Sequence, residues 1–301
     1  MWIITHRRWF FWCSAVLVVG SIAAIALWGI RLGIDFTGGS LLEARFAGSV
    51  PDARAIEDAL RPIVDPVSVQ VSGSDEVLLR FRDVDEATHQ EVLGALGELS
   101  SIEELRFDSI GPAIGAELRS RGAVAIALGL FAIAVYIGWA FRRASRPVAS
   151  WQYGAVTAGV ALFHDVLIPL GAFAALGRFA GMEANTPFIA ALLTVLGFSV
   201  HDTIVVFDRV RENLRRAGNL SFDEVVGQSV RQTFARSLNT SLTVLFAIAA
   251  VGYFGGEAVR PFSVTVFIGI AAGTYSSIFI ASTALVELAR GTAARGAPGR
   301  R

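Results

Sequence analysis

The sequence contains no lysine; all 26 of its basic side chains are arginine. That excludes a Walker-A lysine, a kinase-type lysine and a Schiff-base lysine together. Cysteine is nearly absent as well. Cys13 is the only one, so no disulfide framework exists within the chain. Charge is scarce, at 17% against roughly 25% in ordinary soluble domains. It is also balanced, 26 basic against 26 acidic residues, which excludes a strongly basic nucleic-acid binder. Zinc-ligand spacing, a G-x-S-x-G elbow and a dinucleotide fingerprint are all missing from the sequence. Apolar residues, by contrast, make up 53%, and the mean hydropathy is +0.56. Such a chain has ample apolar surface to bury, so it is not disordered. It reads as a polytopic membrane protein, α-helical, with one α+β insert.

Crossing a hydrocarbon core takes about 20 mostly apolar residues at 1.5 Å per residue. Six segments qualify: residues 9–30, 123–141, 154–176, 188–207, 237–254 and 262–288. The first is too long for a signal-peptide core, and its exit through Ile30, Arg31 and Leu32 is no small-residue cleavage site. Four regions follow: residues 1–30, an N-terminus and first helix; 31–121, a folded insert; 122–290, a five-helix bundle; and 291–301, a basic tail expected to be disordered.

Residues 31–118 carry a net charge of −10, a poor partner for nucleic acid or anionic lipid. Apolar alternation predicts strands at 41–46, 67–71, 77–81 and 105–110, and helices at 52–60 and 85–99. Strand–helix–strand–strand–helix–strand is the order of a ferredoxin-like sandwich. Arginine placement predicts orientation. Arg7, Arg8, Arg142, Arg143, Arg146, six arginines between Asp208 and Arg236, and Arg290, Arg295, Arg300 and Arg301 fall on one side. Only Arg178 and Arg260 occupy the short loops of the other. Both termini are expected in the cytoplasm, and the acidic insert outside it.

Charges inside spanning segments are expensive and mark function. The third span carries His164 and Asp165; the fourth carries His201 and Asp202. Ser199, Asp202 and Thr203 share a helix face at i, i+3 and i+4, and Arg236, Asn239, Thr240 and Thr243 form a polar stripe on the fifth span. Asp202 lies about 9 Å along the axis from the end of its span, and Arg236 about 5 Å beyond the start of the next. The two are expected to form a switchable ion pair in a proton pathway. The competing reading makes the pair structural glue, or lets Arg236 snorkel to headgroups. His164 and Asp165 either extend the relay or bond a neighbouring helix, and both readings stay open.

The remaining signals are architectural. Gly269, Gly273 and Ser277 form a small-residue stripe suited to helix packing. Ser221 and Glu224 fit a capping box. The apolar face of Phe222, Val225, Val226, Val230 and Phe234 suggests a helix lying in the interface plane before Arg236.

Three motifs converge: Gly33-Ile34-Asp35-Phe36-Thr37-Gly38-Gly39 after the first span, Gly111-Pro112-Ala113-Ile114-Gly115-Ala116-Glu117-Leu118 before the second, and the stretch from Gly197 to Asn213 across Ser199, His201, Asp202, Asp208 and Arg209. Together they resemble the SecF family, the smaller subunits of bacterial SecDF complexes, over nearly the whole chain. The resemblance implies an RND-related bundle of six helices from each of SecD and SecF in the bacterial inner membrane. It implies association with the SecYEG channel and YajC, and export of unfolded preprotein driven by the proton-motive force. The coupling ion is the proton, or sodium in some members. No other cofactor, metal or catalytic residue is implied, and the chain is not expected to be an enzyme. The family's ion-pathway Asp and Arg fall by position on Asp202 and Arg236, with a matching Asp expected from SecD. Many relatives carry Asn where this chain has His201, which favours protons here. Gly33, Asp35, Gly38 and Gly39 are expected to be structural, a turn leading into the first strand. The alternatives are half of an RND-like small-molecule exporter and a non-conducting assembly factor of the translocon.

Overall fold

A computed structural model describes residues 2–72, 74–141, 148–156, 159, 163–256 and 259–296. Arg142, Arg143, Arg146, Arg300 and Arg301 lie outside the described residues. The chain divides into two compact units, residues 32–123 and residues 1–31 with 124–301.

In the smaller unit a short helix, Ile34–Thr37, leads into strand Gly39–Phe46. Helix Ala53–Leu60, strands Ser68–Ser72 and Glu76–Phe81, helix Glu86–Leu99 and strand Ile102–Ile110 follow. In the numbering used below, strands β1–β4 are 39–46, 68–72, 76–81 and 102–110. All six expected elements form, and the strands pair antiparallel in the order β2-β3-β1-β4. Strand alternation sends Leu42, Ala44 and Phe46 of β1 and Val77, Leu79 and Phe81 of β3 to one face. There they meet Ile56, Leu60, Val92 and Leu96 of the two helices. On the opposite face Arg45 pairs with Glu76 at 2.7 Å and Glu103 at 3.4 Å. The Glu76 hydrogen bond pushes the Arg45 guanidinium above its ordinary value.

The glycine motif works by backbone geometry. Gly38 and Gly39 have φ of 76° and 122°. A Cβ on Gly38 would sit 2.7 Å from the Pro112 Cα, and one on Gly39 would sit 2.7 Å from the Phe81 carbonyl oxygen. Only glycine satisfies both demands. Asp35 lies in the first turn of the short helix that opens on Gly33.

Among the described residues, six helices are long and apolar enough to cross a membrane. The helices are numbered in chain order: α1 Trp2–Thr5, α2 Arg7–Trp28, α3 Ile34–Thr37, α4 Ala53–Leu60, α5 Glu86–Leu99, α6 Pro112–Ala140, α7 Ser150–Val156, α8 Phe163–Ala180, α9 Thr186–Arg215 and α10 Phe222–Phe254. They end with α11 Arg260–Tyr275, which runs through a π-helical turn, Ser276–Ala281, into α12 Ser282–Gly296. Three boundaries differ from expectation. Of the predicted third span, residues 154–156 fall in α7 and 163–176 in α8, which by itself is long and apolar enough to cross; residues 157–158 and 160–162 lie outside the described set. Residues 291–296 extend α12 instead of starting a disordered tail, since Ala and Arg favour helix there. The interfacial helix predicted before Arg236 is the first part of one 33-residue helix, α10. It opens on the expected capping box: Ser221 accepts from the Glu224 backbone at 3.3 Å, and Glu224 accepts from the Ser221 backbone at 2.8 Å. Beyond Gly227 no Gly or Pro interrupts the helix before Gly252.

Close helix contacts depend on small residues. A Cβ on Gly171 of α8 would lie 2.3 Å from the Ser21 Cα of α2. On α11, a Cβ on Gly269 would lie 2.2 Å from a Val195 methyl, and one on Gly273 would lie 3.1 Å from the Ser199 Cβ. The small-residue stripe therefore seats α11 against α9.

Candidate functional site

The buried face of α9 is apolar except where Ser199, Asp202 and Thr203 interrupt it. All three are at most 2% exposed. His201, one residue round the helix, is exposed. The geometry therefore keeps the carboxylate inside the bundle and turns the adjoining imidazole out.

Asp202 has few polar neighbours. The Ser241 hydroxyl of α10 donates to it at 3.3 Å. Ser237, one turn earlier, places its hydroxyl beside the carboxylate without completing a hydrogen bond. Behind Ser241, the Thr274 hydroxyl of α11 donates at 2.6 Å.

Asp165 on α8 is fully buried and richly bonded. His164 Nδ1 donates to one carboxylate oxygen at 2.8 Å. The other oxygen accepts from Ser199 of α9 and from Ser276 at 2.7 Å. Thr203 and Ser277 bond each other at 2.8 Å, and Ser277 donates to the Ser199 carbonyl at 3.1 Å. Among the described residues His164 Nε2 is buried without a hydrogen-bond partner, and the ring stacks on Tyr275 at 6.1 Å between centroids.

The expected ion pair between Asp202 and Arg236 does not form among the described residues. Arg236 is exposed, as are Asn239, Thr240 and Thr243, so that stripe lies off the buried face of α10. Thr240 and Thr243 bond back to the Arg236 and Asn239 carbonyls at 2.9 and 2.8 Å. The physical reason is that α10 carries two polar stripes. Ser229, Thr233, Ser237 and Ser241, at intervals of four, take the buried face and turn Arg236 outward. With Val205, Asp208, Arg209, Glu212, Gln232 and Thr233, Arg236 lines a cavity of about 260 Å³ between α9 and α10.

The sequence reading missed Ser237, Ser241, Thr274 and Ser276. The available signal was the run of hydroxyls at Thr274, Ser276, Ser277, Ser282 and Thr283, unusual in an otherwise apolar span. Among the described residues, no group of three or more His, Cys, Asp and Glu side chains is placed to hold a metal ion.

Residues 91–291 match the C-terminal region of the protein export membrane proteins SecD/SecF, and residues 29–50 match the SecD/SecF GG motif. The chain is 41% identical to a protein translocase subunit SecF of Thermobaculum terrenum, covering 95% of this chain and 93% of that one. It is 37% identical to a protein translocase subunit SecF of Anaerolinea thermophila, covering 94% and 92%. The crystal structure of SecDF, a translocon-associated membrane protein from Thermus thermophilus, superposes with a TM-score of 0.82 at 31% identity over 96% of this chain. This chain spans only 38% of that longer protein. Six apolar spans, the glycine motif and matches along almost the full length lead to one assignment: the chain is a multi-pass membrane protein of the SecF family of protein translocase subunits.

Proposed function

We propose that this subunit couples the proton-motive force to preprotein movement through SecYEG, with Asp202 as the group that takes up and releases the proton. The observation that carries the reading is the poverty of hydrogen bonds at Asp202. A carboxylate buried in a spanning helix with one long hydrogen bond has little to hold its charge in place. The cavity lined by Arg236, Asp208 and Glu212 supplies a polar mouth toward the end of α9. His164 and Asp165 form the second buried polar site of the pathway. No catalysis is assigned.

The outward stripe of Arg236, Asn239, Thr240 and Thr243 suits a second subunit. SecD is the partner, and its matching carboxylate meets Arg236 on the face of α10 that this chain leaves open. Both termini lie in the cytoplasm and the acidic α+β unit in the periplasm, in keeping with the arginine distribution. YajC and membrane lipid complete the surroundings. On protonation Asp202 changes from an acceptor to a donor, its helix neighbours repack, and the α+β unit moves while engaged with the emerging unfolded chain.

The test is Asp202→Asn in membranes energised by a proton gradient. Export completion is expected to fall to the level seen without a gradient while insertion and SecD binding stay normal. Undiminished gradient-dependent completion overturns the reading. A proton readout that survives sodium removal assigns the ion.

A further inference from the structure

One short piece of the last span reaches toward both buried acids. Thr274 is the last residue but one of α11, and Ser276 opens the π-helical turn that follows it. A π turn inside a long helix is rare, and such turns are frequent at functional sites. Each of these hydroxyls has one proton and two acceptors within reach. Thr274 faces Ser241 at 2.6 Å and the Ile270 carbonyl, one turn back, at 2.8 Å. Ser276 faces Asp165 at 2.7 Å and the Gly273 carbonyl at 3.1 Å.

We propose that Thr274 and Ser276 are positioning residues that transmit the state of Asp202 to Asp165 through the π-helical turn. The reading rests on Asp202 being the proton-carrying group. With Asp202 ionised, Ser241 donates to the carboxylate and Thr274 donates to Ser241, an arrangement the distances of 3.3 and 2.6 Å allow. Adding one proton to Asp202 reverses the chain. The acid O–H donates to Ser241, Ser241 donates to Thr274, and the Thr274 proton goes to the Ile270 carbonyl. That carbonyl is already the acceptor of the Thr274 backbone N–H in the helix ladder, and a second donor weakens and bends the turn. The turn leads directly into Ser276, whose proton then redistributes between Asp165 and the Gly273 carbonyl. No proton is lost in the relay, and the signal travels as hydrogen-bond direction and helix strain.

The charged and titratable groups around this route are few. Asp165 faces His164 on its own helix, and His164 lies on Tyr275 of α11, which in turn neighbours Cys13 of α2. Asp202 adjoins the exposed His201, and Arg236 of α10 forms no ion pair with it among the described residues. Among the described residues none of these groups bridges the two acids; the hydroxyls of Ser241 and Thr274 reach out from Asp202 and that of Ser276 from Asp165, with only Tyr275 between Thr274 and Ser276.

The experiment is infrared difference spectroscopy of the intact complex with SecD in lipid vesicles, titrated with pH. The carboxyl absorption of Asp165 is isolated by subtracting the Asp165→Asn spectrum, and that of Asp202 by subtracting the Asp202→Asn spectrum. In the parent complex the Asp165 absorption is expected to change as Asp202 titrates. That change is expected to be lost in Thr274→Val and Ser276→Ala and retained in Thr274→Ser, which keeps the hydroxyl. An Asp202 that titrates beside a silent Asp165, or a Thr274→Val response equal to the parent's, overturns the link alone. An Asp202 that never changes charge overturns the functional reading and the link with it.

Discussion

Asp165 and Asp202 are the same chemical group in the same bundle, buried to nearly the same degree, yet their surroundings are opposite. Asp165 accepts from an imidazole and two hydroxyls drawn from three segments of the chain. Asp202 accepts one hydrogen bond at the long end of the range. A carboxylate with several donors has its charge held tightly, because removing the charge strands the donors. One with a single weak donor is free to exchange its proton at small structural cost. Burial alone does not separate a tightly held charge from an exchangeable one; the number of donors does.

The comparison predicts that the two amide variants fail in different ways. Asp165→Asn presents an NH2 group to hydroxyls that now donate to a carboxylate. It is expected to cost about 2–3 kcal/mol of bundle stability, read as earlier thermal unfolding in detergent. Asp202→Asn removes a poorly solvated charge and is expected to leave unfolding unchanged or raise its midpoint, while gradient-dependent export is lost. Equal destabilisation by both variants would erase the distinction between the sites.

Arg236 sharpens the Asp202 half of the comparison. It is exposed and away from Asp202, so Arg236→Met is expected to leave the unfolding of the isolated subunit unchanged. Export driven by the gradient, measured with SecD present, is expected to drop to the ungated level. Arg236→Lys restoring full export would show that a point charge suffices and that the guanidinium fork has no part. A stability loss in the isolated subunit would instead mean that the arginine serves this chain's own packing.

These contrasts also mark what was legible in the sequence. The α+β unit was readable element by element because strand period and core face coincide, as Leu42, Ala44 and Phe46 show. Ser199, Asp202 and Thr203 were readable as one inward face for the same reason, since an i, i+3, i+4 set on an apolar helix has one place to go. The stripe at Arg236 misled because periodicity tells which residues share a face but not which face a neighbour covers. On α10 the serines at 229, 237 and 241 won the interior because small side chains let α9 and α11 approach. Arginine is too long for that seam. Of the Asp165 cluster the sequence showed His164 and Asp165 themselves; the bonds to Ser199 and Ser276 were unreadable, because no local pattern links positions that far apart.

Gly273 probes the Asp165 side more gently than removing the acid. A Cβ there would lie 3.1 Å from the Ser199 Cβ and 3.5 Å from a carboxylate oxygen of Asp165. Gly273→Ala is expected to push α11 from α9 by a few tenths of an ångström, at about 1 kcal/mol. Thermal unfolding in detergent should show a smaller loss than Asp165→Asn, and the Asp202 side should be spared. A loss as large as that of Asp165→Asn would mean that packing, not hydrogen bonding, dominates the cluster.

The smallest expected effect belongs to a third acid, outside the membrane, whose donors are local. Asp85 caps α5 by accepting from the Thr88 backbone N–H at 3.0 Å and from its hydroxyl at 2.7 Å. These bonds, the backbone one first, hold its carboxyl below the ordinary 3.8. A depressed carboxyl value means that the cap contributes fully well above pH 3.8. The contribution is lost as pH falls through the lower, folded-state value. Asp85→Ala is therefore expected to speed hydrogen exchange in the first turn of α5 at neutral pH, relative to parent, with the difference closing once the parent's own carboxyl is protonated. Exchange in the strands should be unaffected, since the cap secures one helix end and nothing beyond it. A difference that persists in acid would show that the side chain acts there through something other than its charge. It would also deny to the simplest of the three acids the rule that donor count governs how tightly a carboxylate is held.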